Sequence, residues 1–410
     1  METEGAKHTQ NTPDTEQNMI NKKPRLLSLD FFRGFTIAAM ILVNTPGDYD
    51  YVYAPLEHSK WDGCTPTDLV FPFFLFMVGV SIVYALEGKK PVAENHSRII
   101  LSALRRMLIL IALGLGIFLF YRPDLSHLRF PGVLQRIGVV YFITTLLYLK
   151  TSQRTRDWLM GLILVSYYLM LFYIPVPDGH PPNLSPELNL AAWVDRAVFT
   201  TNHLYRYTKL WDPVGLLSTW PAIATTLFGI RIGALLKQKD VDVNRKCIKL
   251  LLIGLLATIL GLIVNLVFPI NKSLWSSSYV LYSGGLGTLG LTAAFWIIDV
   301  KGYQKLVWPF TVFGINAISA YVLSEIMPGL INFLKISHDG GAVSGMKYFY
   351  QVVFLPHFSP VNASLLSACV FVVFIWLIMY ILYKREVIIK IADERPRTSF
   401  NNATYNEKYS

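Results

Sequence analysis

The chain has 410 residues, of which 53% are hydrophobic and 14% aromatic, with a formal net charge of +10. Only 16% are charged, against about 25% in an ordinary soluble domain, and apolar stretches of bilayer length recur along the sequence. A soluble globule and a protein with a single anchor are therefore excluded. An outer-membrane barrel is excluded too, because its alternating segments of about ten residues are missing. We predict an all-α integral membrane protein, a polytopic helical bundle.

About ten transmembrane helices are predicted from the apolar stretches. Their predicted limits are Leu27–Val43, Asp68–Leu86, Ile99–Phe120, Gly132–Leu149, Trp158–Ile174, Val214–Leu236, Lys249–Phe268, Ser278–Ile298, Leu306–Ile326 and Asn362–Tyr383. Two connections, 175–213 and 327–361, are long enough to fold over a site.

The positive charge is concentrated in alternate connections, as membrane orientation requires. With the amino terminus inside, the tails and the even-numbered connections hold about 25 of the 37 Lys and Arg residues, and the opposite connections about nine. We therefore predict that both termini are cytoplasmic. The charge then orients the bundle, and binding to nucleic acid is not expected.

Three regions are predicted along the chain. Residues 1–24 are polar and form a disordered cytoplasmic tail, residues 25–390 form the transmembrane domain, and residues 391–410 form a carboxy-terminal cytoplasmic tail. The first residues lack the apolar core of a signal peptide, so the first span is expected to serve as its own insertion signal.

From the positions of the three cysteines we expect neither a disulfide nor a cysteine-based metal or redox site. In this topology Cys64 lies outside, Cys247 lies at the inner face and Cys369 lies within a span, so no pair is expected to form a disulfide. The sequence also lacks the CxxC spacing of metal and redox sites.

The polar segment Glu57–Gly63 separates the first two spans and contains His58. An imidazole at the membrane rim can move a proton near neutral pH. A carboxylate, Asp62 or Asp68, could orient the ring and stabilise its protonated form. Without further evidence, the simpler interpretation is that His58 is a histidine at the membrane rim that hydrogen-bonds to a loop carbonyl. One histidine with scattered aspartates lacks the spacing of a metal site, so no metal is expected.

Charged and polar residues also fall inside predicted spans. Asp30 and Arg33 share one helix face, where they either form an internal ion pair or meet an anionic ligand such as a nucleotide phosphate. Gln135 and Arg136 must face protein or water in the fourth span. Further polar positions in spans are Arg231, Asn316 and Glu325. Such a polar path suits a transporter as well as a transmembrane transferase.

Three further features lie near the predicted outer face. Trp61 is typical of an interfacial aromatic belt, although aromatic rings also stack on sugars. The segment Asn271–Tyr279 is more polar than a short turn needs, which predicts a site wall. Asp212 followed by Pro213 predicts a helix cap, with the sixth span starting at Val214.

Six segments, spread from the first predicted span to the eighth, carry a family resemblance. They are Ser28–Gly34 (SLDFFRG), Val43–Asn44 (VN), His58–Gly63 (HSKWDG), Asp68–Phe74 (DLVFPFF), Pro131–Gly138 (PGVLQRIG) and Asn271–Ser276 (NKSLWS). Together they resemble the heparan-α-glucosaminide N-acetyltransferase family and its bacterial relatives, the polytopic acetyl-CoA-dependent amino-sugar acetyltransferases.

The resemblance implies acetyl-CoA as donor and a terminal, non-acetylated glucosamine as acceptor. It makes the histidine of the H-x-x-W-[ND]-G segment, His58 here, catalytic, and it places Arg33 and Asn44 in the active-site lining. We also expect that the chain departs from the animal enzymes by lacking their long lumenal amino-terminal domain. We therefore expect a bacterial cytoplasmic-membrane enzyme that acts on a smaller amino sugar, with His58 on the outer side.

The residues suit this chemistry in two ways. Glucosamine's amine must lose a proton before it attacks a thioester, and imidazole, with an ordinary pKa of about 6.5, is an apt base. Alternatively, His58 itself carries the acetyl group. Arg33 could pair with a CoA phosphate, while Asn44 or backbone amides around Gly63 could stabilise the oxyanion.

The candidate catalytic residues are therefore His58, Asp62 and Asp68. The candidate substrate- or cofactor-binding residues are Asp30, Arg33, Asn44, Trp61, Gln135, Arg136, Asn271 and Trp275.

Two other functions stay open at this point. One is a sugar or solute transporter that uses the polar path, although no pairing of repeated halves is visible. The other is an O-acyltransferase of surface polysaccharide. The expected partners are acetyl-CoA, an amino sugar and the lipid bilayer. A homodimer is compatible with a bundle of this kind, but the sequence specifies no contact face.

Overall fold

The computed structural model describes residues 26–92, 94–305, 307–338 and 341–389. The two predicted tails, 1–24 and 391–410, lie outside these ranges, and the limits of the predicted transmembrane domain, 25–390, stay a prediction. The described chain is mostly helical, as predicted.

The helices and strands follow in chain order. The α-helices are α1 (Leu27–Asn44), α2 (Val70–Leu86), α3 (Glu94–Tyr121), α4 (Val133–Lys150), α5 (Gln153–Tyr173), α6 (Leu190–Phe199), α7 (Thr219–Lys237), α8 (Val243–Val264), α9 (Ser277–Ala294), α10 (Trp308–Ile315), α11 (Ala317–Phe333), α12 (Gly345–Tyr348) and α13 (Pro360–Lys384). Short 3₁₀ turns occur at Ala54–Leu56, Pro66–Leu69, Leu125–His127 and Thr201–His203, and π-helical turns at Phe295–Val300 and Phe349–Phe354. Strands β1 (Lys335–His338) and β2 (Gly341–Ser344) form an antiparallel hairpin.

Eight helices in the described ranges are long and apolar enough to cross a membrane. They are α1, α2 with its preceding 3₁₀ turn, α3, α4, α7, α8, α9 with its π-helical extension, and α13. Helices α10 and α11 would make a ninth span together, but they meet at an angle of 85°.

The predicted count of about ten spans is therefore not confirmed. Helix α5 has 21 residues, but it begins with the charged residues Arg154, Arg156 and Asp157 and is not apolar enough to join the eight. The predicted ninth span is broken at Asn316, where α10 ends. The side of the membrane on which the termini lie stays a prediction.

The sixth predicted span starts later than expected. Helix α7 begins at Thr219, so the predicted start at Val214 and the predicted cap at Asp212 are wrong. The Asp212 carboxylate does accept the backbone N–H of Val214 at 2.8 Å, which makes a local turn. The same carboxylate accepts two hydrogen bonds from the guanidinium of Arg129, at 2.8 Å from Nε and 2.6 Å from Nη2. Asp212 therefore joins two connections and does not start a helix.

Helix α1 is started by a residue that is distant in sequence. Leu26 offers no side-chain cap. Instead the carboxylate of Asp299, in the π-helical turn that follows α9, accepts the backbone N–H groups of Leu27 and Ser28 at 3.2 and 3.1 Å. Because a carboxylate also suits the positive end of the helix dipole, this contact fixes where α1 begins.

Some helices of the bundle pack with their backbones in direct contact. We call the half around the Leu27 end of α1 the tail-side half and the half around the Asn44 end the loop-side half. In the tail-side half, a Cβ atom on Gly34 of α1 would lie 1.7 Å from the Phe310 carbonyl oxygen of α10. Near the bundle centre, a Cβ on Gly229 of α7 would lie 2.0 Å from the Phe76 carbonyl oxygen of α2. Small residues therefore allow these helix backbones to touch.

Candidate active site

His58 lies in the connection between α1 and α2, where its imidazole contacts a buried carboxylate. Nδ1 of His58 is 2.8 Å from Oδ1 of Asp68. The Asp68 side chain is 1% exposed, whereas the His58 side chain is 53% exposed. A carboxylate in this position orients the ring and favours the proton on Nδ1, which leaves the lone pair on Nε2.

Asp68 is itself held in place by the surrounding backbone. Its Oδ2 accepts the backbone N–H groups of Ser59 and Thr65, each at 3.0 Å, within a capping box that starts the turn Pro66–Leu69. The Tyr279 hydroxyl on α9 donates to the Asp68 carbonyl at 2.5 Å. The carboxylate that orients His58 is therefore preorganised.

A lysine from a distant connection completes this group. Nζ of Lys272 lies 2.9 Å from Nδ1 and 3.2 Å from Nε2 of His58, and 3.4 Å from Oδ1 of Asp68. Burial lowers the pKa of the Lys272 ammonium, and the nearby Asp68 carboxylate raises it. We call His58, Asp68 and Lys272 the loop cluster.

The nearby thiol of Cys64 is unsuited to nucleophilic chemistry. Burial, reinforced by the Asp68 carboxylate, raises the pKa of Cys64 to about 12. Since the thiolate is the reactive form, this cysteine is inert at neutral pH.

Asp62, the other carboxylate proposed for His58, contacts a different residue. Its Oδ1 accepts the side-chain amide of Asn271 at 3.2 Å, and the N–H of Gly63 donates to the Ile270 carbonyl at 2.8 Å. Gly63 has a φ of 103°, which a glycine adopts without strain. We call these four residues, Asp62, Gly63, Ile270 and Asn271, the clamp, because they tie the His58 connection to the turn before α9.

A cavity of about 480 Å³ adjoins the loop cluster. All three residues of the cluster line it, together with Asn44 at the end of α1. Its deeper wall is apolar and is formed by Ile37, Met40, Phe74, Leu110, Ile137 and Ile318. A concave site of this volume, with an apolar wall and a few convergent polar groups, is typical of small-molecule binding.

The rim of the cavity carries aromatic and basic residues that the sequence reasoning missed. Arg129, Tyr205 and Trp211 line it, and the guanidinium of Arg129 lies 4.5 Å from the centroid of the Tyr205 ring. For Tyr205 and Trp211 the signal available in the sequence was the long connection 175–213, which was predicted to fold over a site.

Trp61 stands behind this rim. Its ring meets that of Trp211 edge to face, with centroids 5.0 Å apart, and its Nε1 donates to the Leu184 carbonyl at 3.0 Å. Trp61 is absent from the described cavity lining, so its position supports Trp211.

Asn44 and Glu325 form a second polar group in the cavity. Both residues line it, and the Asn44 side chain hydrogen-bonds to the Glu325 carboxylate. Glu325 belongs to α11, so this contact joins the first helix to the bent helix pair.

Asp30 and Arg33 lie below the cavity in the tail-side half. The Arg33 guanidinium is 3.2 Å from the Asp30 carboxylate, and it donates to the Gly314 carbonyl at 3.2 Å and to Ser81 Oγ at 2.9 Å. Thr36, one helical turn above Arg33, is part of the lining. The internal ion pair is therefore the observed contact, and a contact with a CoA phosphate stays a prediction.

Gln135, Arg136 and Trp275 are buried behind the cavity wall. Arg136 donates to the Gly215 carbonyl at 2.9 Å, and its guanidinium lies 5.0 Å from the Trp275 ring centroid. Nε1 of Trp275 donates to Thr225 Oγ1 at 3.0 Å. These side chains brace α4, α7 and the turn before α9, and their predicted binding roles stay predictions.

A metal site was not expected from the sequence. Within the described ranges, no three His, Cys, Asp or Glu side chains are grouped closely enough to hold a metal ion.

Comparisons with known proteins give a consistent result. A family model described as the catalytic region of heparan-alpha-glucosaminide N-acetyltransferase matches residues 25–259. That range includes His58, Asp68 and Arg129, whereas Lys272 and Glu325 follow it.

Two curated relatives carry the same name. The human heparan-alpha-glucosaminide N-acetyltransferase is 28% identical over 426 residues, which cover 90% of this chain and 60% of the human protein. The mouse heparan-alpha-glucosaminide N-acetyltransferase is 29% identical over 376 residues, which cover 78% of this chain and 56% of the mouse protein. The chain therefore spans about 60% of the length of the curated relatives it matches.

The family model covers more than half of the chain, and its range contains the His58 connection and the rim residue Arg129. The resemblance inferred from six short segments is thus confirmed. The chain belongs to the heparan-α-glucosaminide N-acetyltransferase catalytic family.

Proposed function

We propose that this protein transfers the acetyl group of acetyl-CoA to the amine of a glucosamine-type sugar, with His58 at the point of transfer. One observation carries the proposal: His58 faces a cavity of about 480 Å³ while its Nδ1 lies 2.8 Å from the buried Asp68 carboxylate. Family membership supports the same chemistry.

In a direct route, the sugar amine attacks the thioester carbonyl while Nε2 of His58 takes a proton from the nitrogen. The C–N bond forms, the C–S bond breaks, and the CoA thiolate takes up a proton as it leaves. Asp68 stabilises the imidazolium that forms in this step, because its carboxylate lies on Nδ1.

In a two-step route, Nε2 of His58 attacks the thioester and CoA leaves. The acetyl-imidazole is then attacked by the sugar amine, which restores the free ring. Both routes require the lone pair of Nε2. They differ in that only the second route leaves a labelled acetyl group on His58 when the acceptor is withheld.

The two ends of the cavity suit the two substrates. The apolar wall around Phe74 and Leu110 fits the pantetheine end of acetyl-CoA, and the rim aromatics Tyr205 and Trp211 offer faces for a sugar ring. In this proposal Asn44, which lines the cavity, donates to the oxyanion of the tetrahedral intermediate. Arg33, below the cavity, is the proposed contact for a CoA phosphate.

The sidedness of the reaction is part of the proposal. The lining follows α1 from Asn44 down to Thr36, which is about 12 Å along a helix axis. This depth supports a donor that enters from the tail-side face, taken as cytoplasmic, and an acceptor that enters from the outer face beside His58. A bacterial cytoplasmic membrane is the proposed setting.

The test uses purified protein with radiolabelled acetyl-CoA and glucosamine. We expect His58→Ala to lower transfer by about 10²- to 10⁴-fold, the usual contribution of a proton-transferring or nucleophilic residue. The matched control is His127→Ala. His127 also pairs with a carboxylate, Asp124 at 2.7 Å, but it lies outside the described cavity lining.

Full activity of folded His58→Ala protein would refute the role of His58. The alternatives are separated in the same preparation. Acetylation of hydroxyl sugars in place of amines would indicate an O-acyltransferase, and sugar uptake into proteoliposomes without an acyl donor would indicate a transporter.

A further inference from the structure

We infer that Lys272 is a positioning residue for the proposed reaction, and that its ammonium keeps the His58 imidazole unprotonated at neutral pH. The inference rests on the proposed function, because either route requires the lone pair of Nε2. It concerns a residue that lies beyond the range matched by the family model.

The argument starts from the conflict that Asp68 creates. A buried carboxylate 2.8 Å from an imidazole nitrogen orients the ring, but it also favours the imidazolium. An imidazolium can act neither as a base nor as a nucleophile. A site that needs this carboxylate for orientation therefore benefits from a second charge that opposes protonation.

Lys272 supplies that charge. Its Nζ lies within 3.2 Å of both ring nitrogens and 3.4 Å from the same Asp68 oxygen that contacts Nδ1. The ammonium repels a positive ring and neutralises part of the carboxylate's attraction. With Asp68 charged, Lys272 charged and the ring neutral, the loop cluster has no net charge beside an apolar cavity wall.

The position of Lys272 is set by its neighbours. The clamp residue Asn271 accepts the N–H of Leu274 at 2.8 Å, and the N–H of Trp275 donates to the Lys272 carbonyl at 3.1 Å. The Lys272 side chain is only 18% exposed. A short, closed turn with a mostly buried side chain holds the ammonium in one place, and a flexible surface lysine would not be held in this way.

Other charged groups face the same cavity from the described elements. They are Lys60 on the His58 connection, Arg129 before α4, Glu325 on α11, and the hydroxyls of Tyr205 and Tyr321. Arg129 is paired with Asp212 and Glu325 with Asn44. Lys60 is exposed, so solvent and salt screen its charge. Among the described residues, Lys272 is therefore the cation with direct contact to the ring.

The test compares the pH dependence of acetyl transfer in Lys272→Met, Lys272→Arg and wild-type protein. We expect the acidic limb of the kcat/KM profile of Lys272→Met to move to higher pH by about one to two units. The loss should therefore be about tenfold or more near pH 6 and small near pH 9. Lys272→Arg should restore the wild-type profile. Lys60→Met, which removes the same charge from the His58 connection at the edge of the same cavity, should leave the limb in place.

A second measurement does not depend on activity. Diethyl pyrocarbonate modifies unprotonated imidazole, and His58 is exposed enough to react. The pH midpoint of His58 modification, followed by peptide mass spectrometry on purified protein, should rise by the same amount in Lys272→Met. Lys272→Gln serves both measurements if the Met variant does not fold.

The outcomes separate this inference from the proposed function. An unshifted acidic limb with a uniform loss at every pH, or an unshifted midpoint of modification, would overturn the role of Lys272. Absence of acetyl transfer in wild-type protein would overturn the proposed function, and the modification midpoint would still decide whether Lys272 controls the protonation of His58.

Discussion

In the tail-side half, α1 and α10 are so close that a single Cβ on Gly34 would lie 1.7 Å from a carbonyl oxygen. In the loop-side half, α1 ends beside a cavity of about 480 Å³, and the groups around it are fixed by hydrogen bonds from connecting segments. One half is held by backbone contact between helices. The other is held by side chains that fold connections over an open space.

The difference suggests that the tail-side half mainly stabilises the fold and that the loop-side half carries the proposed chemistry. Close helix packing leaves no room for a substrate, but it gives the rigid base that a precise site requires. The loop-side half has room, and its buried Asp68, Asp212 and Asn271 side chains are held in place by hydrogen bonds. We therefore expect substitutions in the two halves to fail in different ways.

The largest expected effect is loss of the fold on Gly34→Leu. The leucine side chain would have to displace the backbone of α10, which cannot move without disrupting the bundle. We expect no monodisperse protein after solubilisation, as judged by size-exclusion chromatography. Gly116→Leu on α3 is the control, because a Cβ there meets no atom within 4 Å. Normal yield of the Gly34 variant would show that the tail-side contact is not required.

The next effect is on activity alone. We expect Asp68→Asn to lower kcat/KM for acetyl transfer by about 10²- to 10³-fold, because the amide cannot stabilise an imidazolium. Asp62→Asn, which changes a clamp residue of the same connection, should cost less than about tenfold because it contacts Asn271 and not the ring. Both variants should keep the wild-type melting temperature within a few degrees. Equal losses in the two variants would mean that the carboxylates act through structure only.

A smaller effect is expected at the rim. Trp211→Ala should raise KM for the sugar by about tenfold, the usual value of one lost aromatic contact, while KM for acetyl-CoA changes little. Initial-rate kinetics with each substrate varied in turn would measure this. Trp158→Ala is the control, since that ring is 81% exposed. A change confined to KM for acetyl-CoA would reverse the proposed assignment of rim and wall.

The smallest effect concerns the pH dependence of stability in the loop-side half. Burial raises the pKa of Asp195 on α6 to about 7, and its Oδ1 accepts the N–H of Leu216 at 2.7 Å. Since an unfolded aspartate has a pKa of about 3.9, the folded state binds the extra proton between these values, and stability should fall as pH rises from about 4 to 7.

We expect the melting temperature of the wild type to decrease by a few degrees between pH 5 and pH 8 for this reason. In Asp195→Asn the decrease should be smaller, because the neutral amide cannot ionise. Differential scanning fluorimetry at several pH values would measure both proteins. An identical pH dependence in the two proteins would exclude Asp195 as its source.

The contrast also explains what could be predicted from the sequence. Apolar length located eight spans, because a helix in lipid must bury its own backbone groups whatever its neighbours are. The same signal failed at α5 and at Asn316. At α5 the charged residues of the first turn lower the apolar character of the helix, whereas the break between α10 and α11 depends on tertiary contacts that hydropathy does not contain.

The site was predictable where its residues share a short segment. His58, Asp62 and Asp68 lie within eleven positions, so their proximity could be expected, although which carboxylate meets the ring could not. Lys272 and Arg129 join the site through contacts between distant connections. No local pattern marks a lysine or an arginine for that role, and the pairing of Asp212 with Arg129 was hidden by its resemblance to a helix cap.

The bend at Asn316 ties one wall of the cavity to the segment that follows the last helix. The Asn316 side chain donates to the Val387 carbonyl and accepts the Ile389 N–H, each at 3.0 Å. The segment that follows α13 is therefore hydrogen-bonded to the bend. Tyr321 and Glu325 belong to α11, beyond the bend, and line the cavity. The direction in which α11 leaves α10 is therefore held by two hydrogen bonds to residues that lie 71 and 73 positions further along the chain.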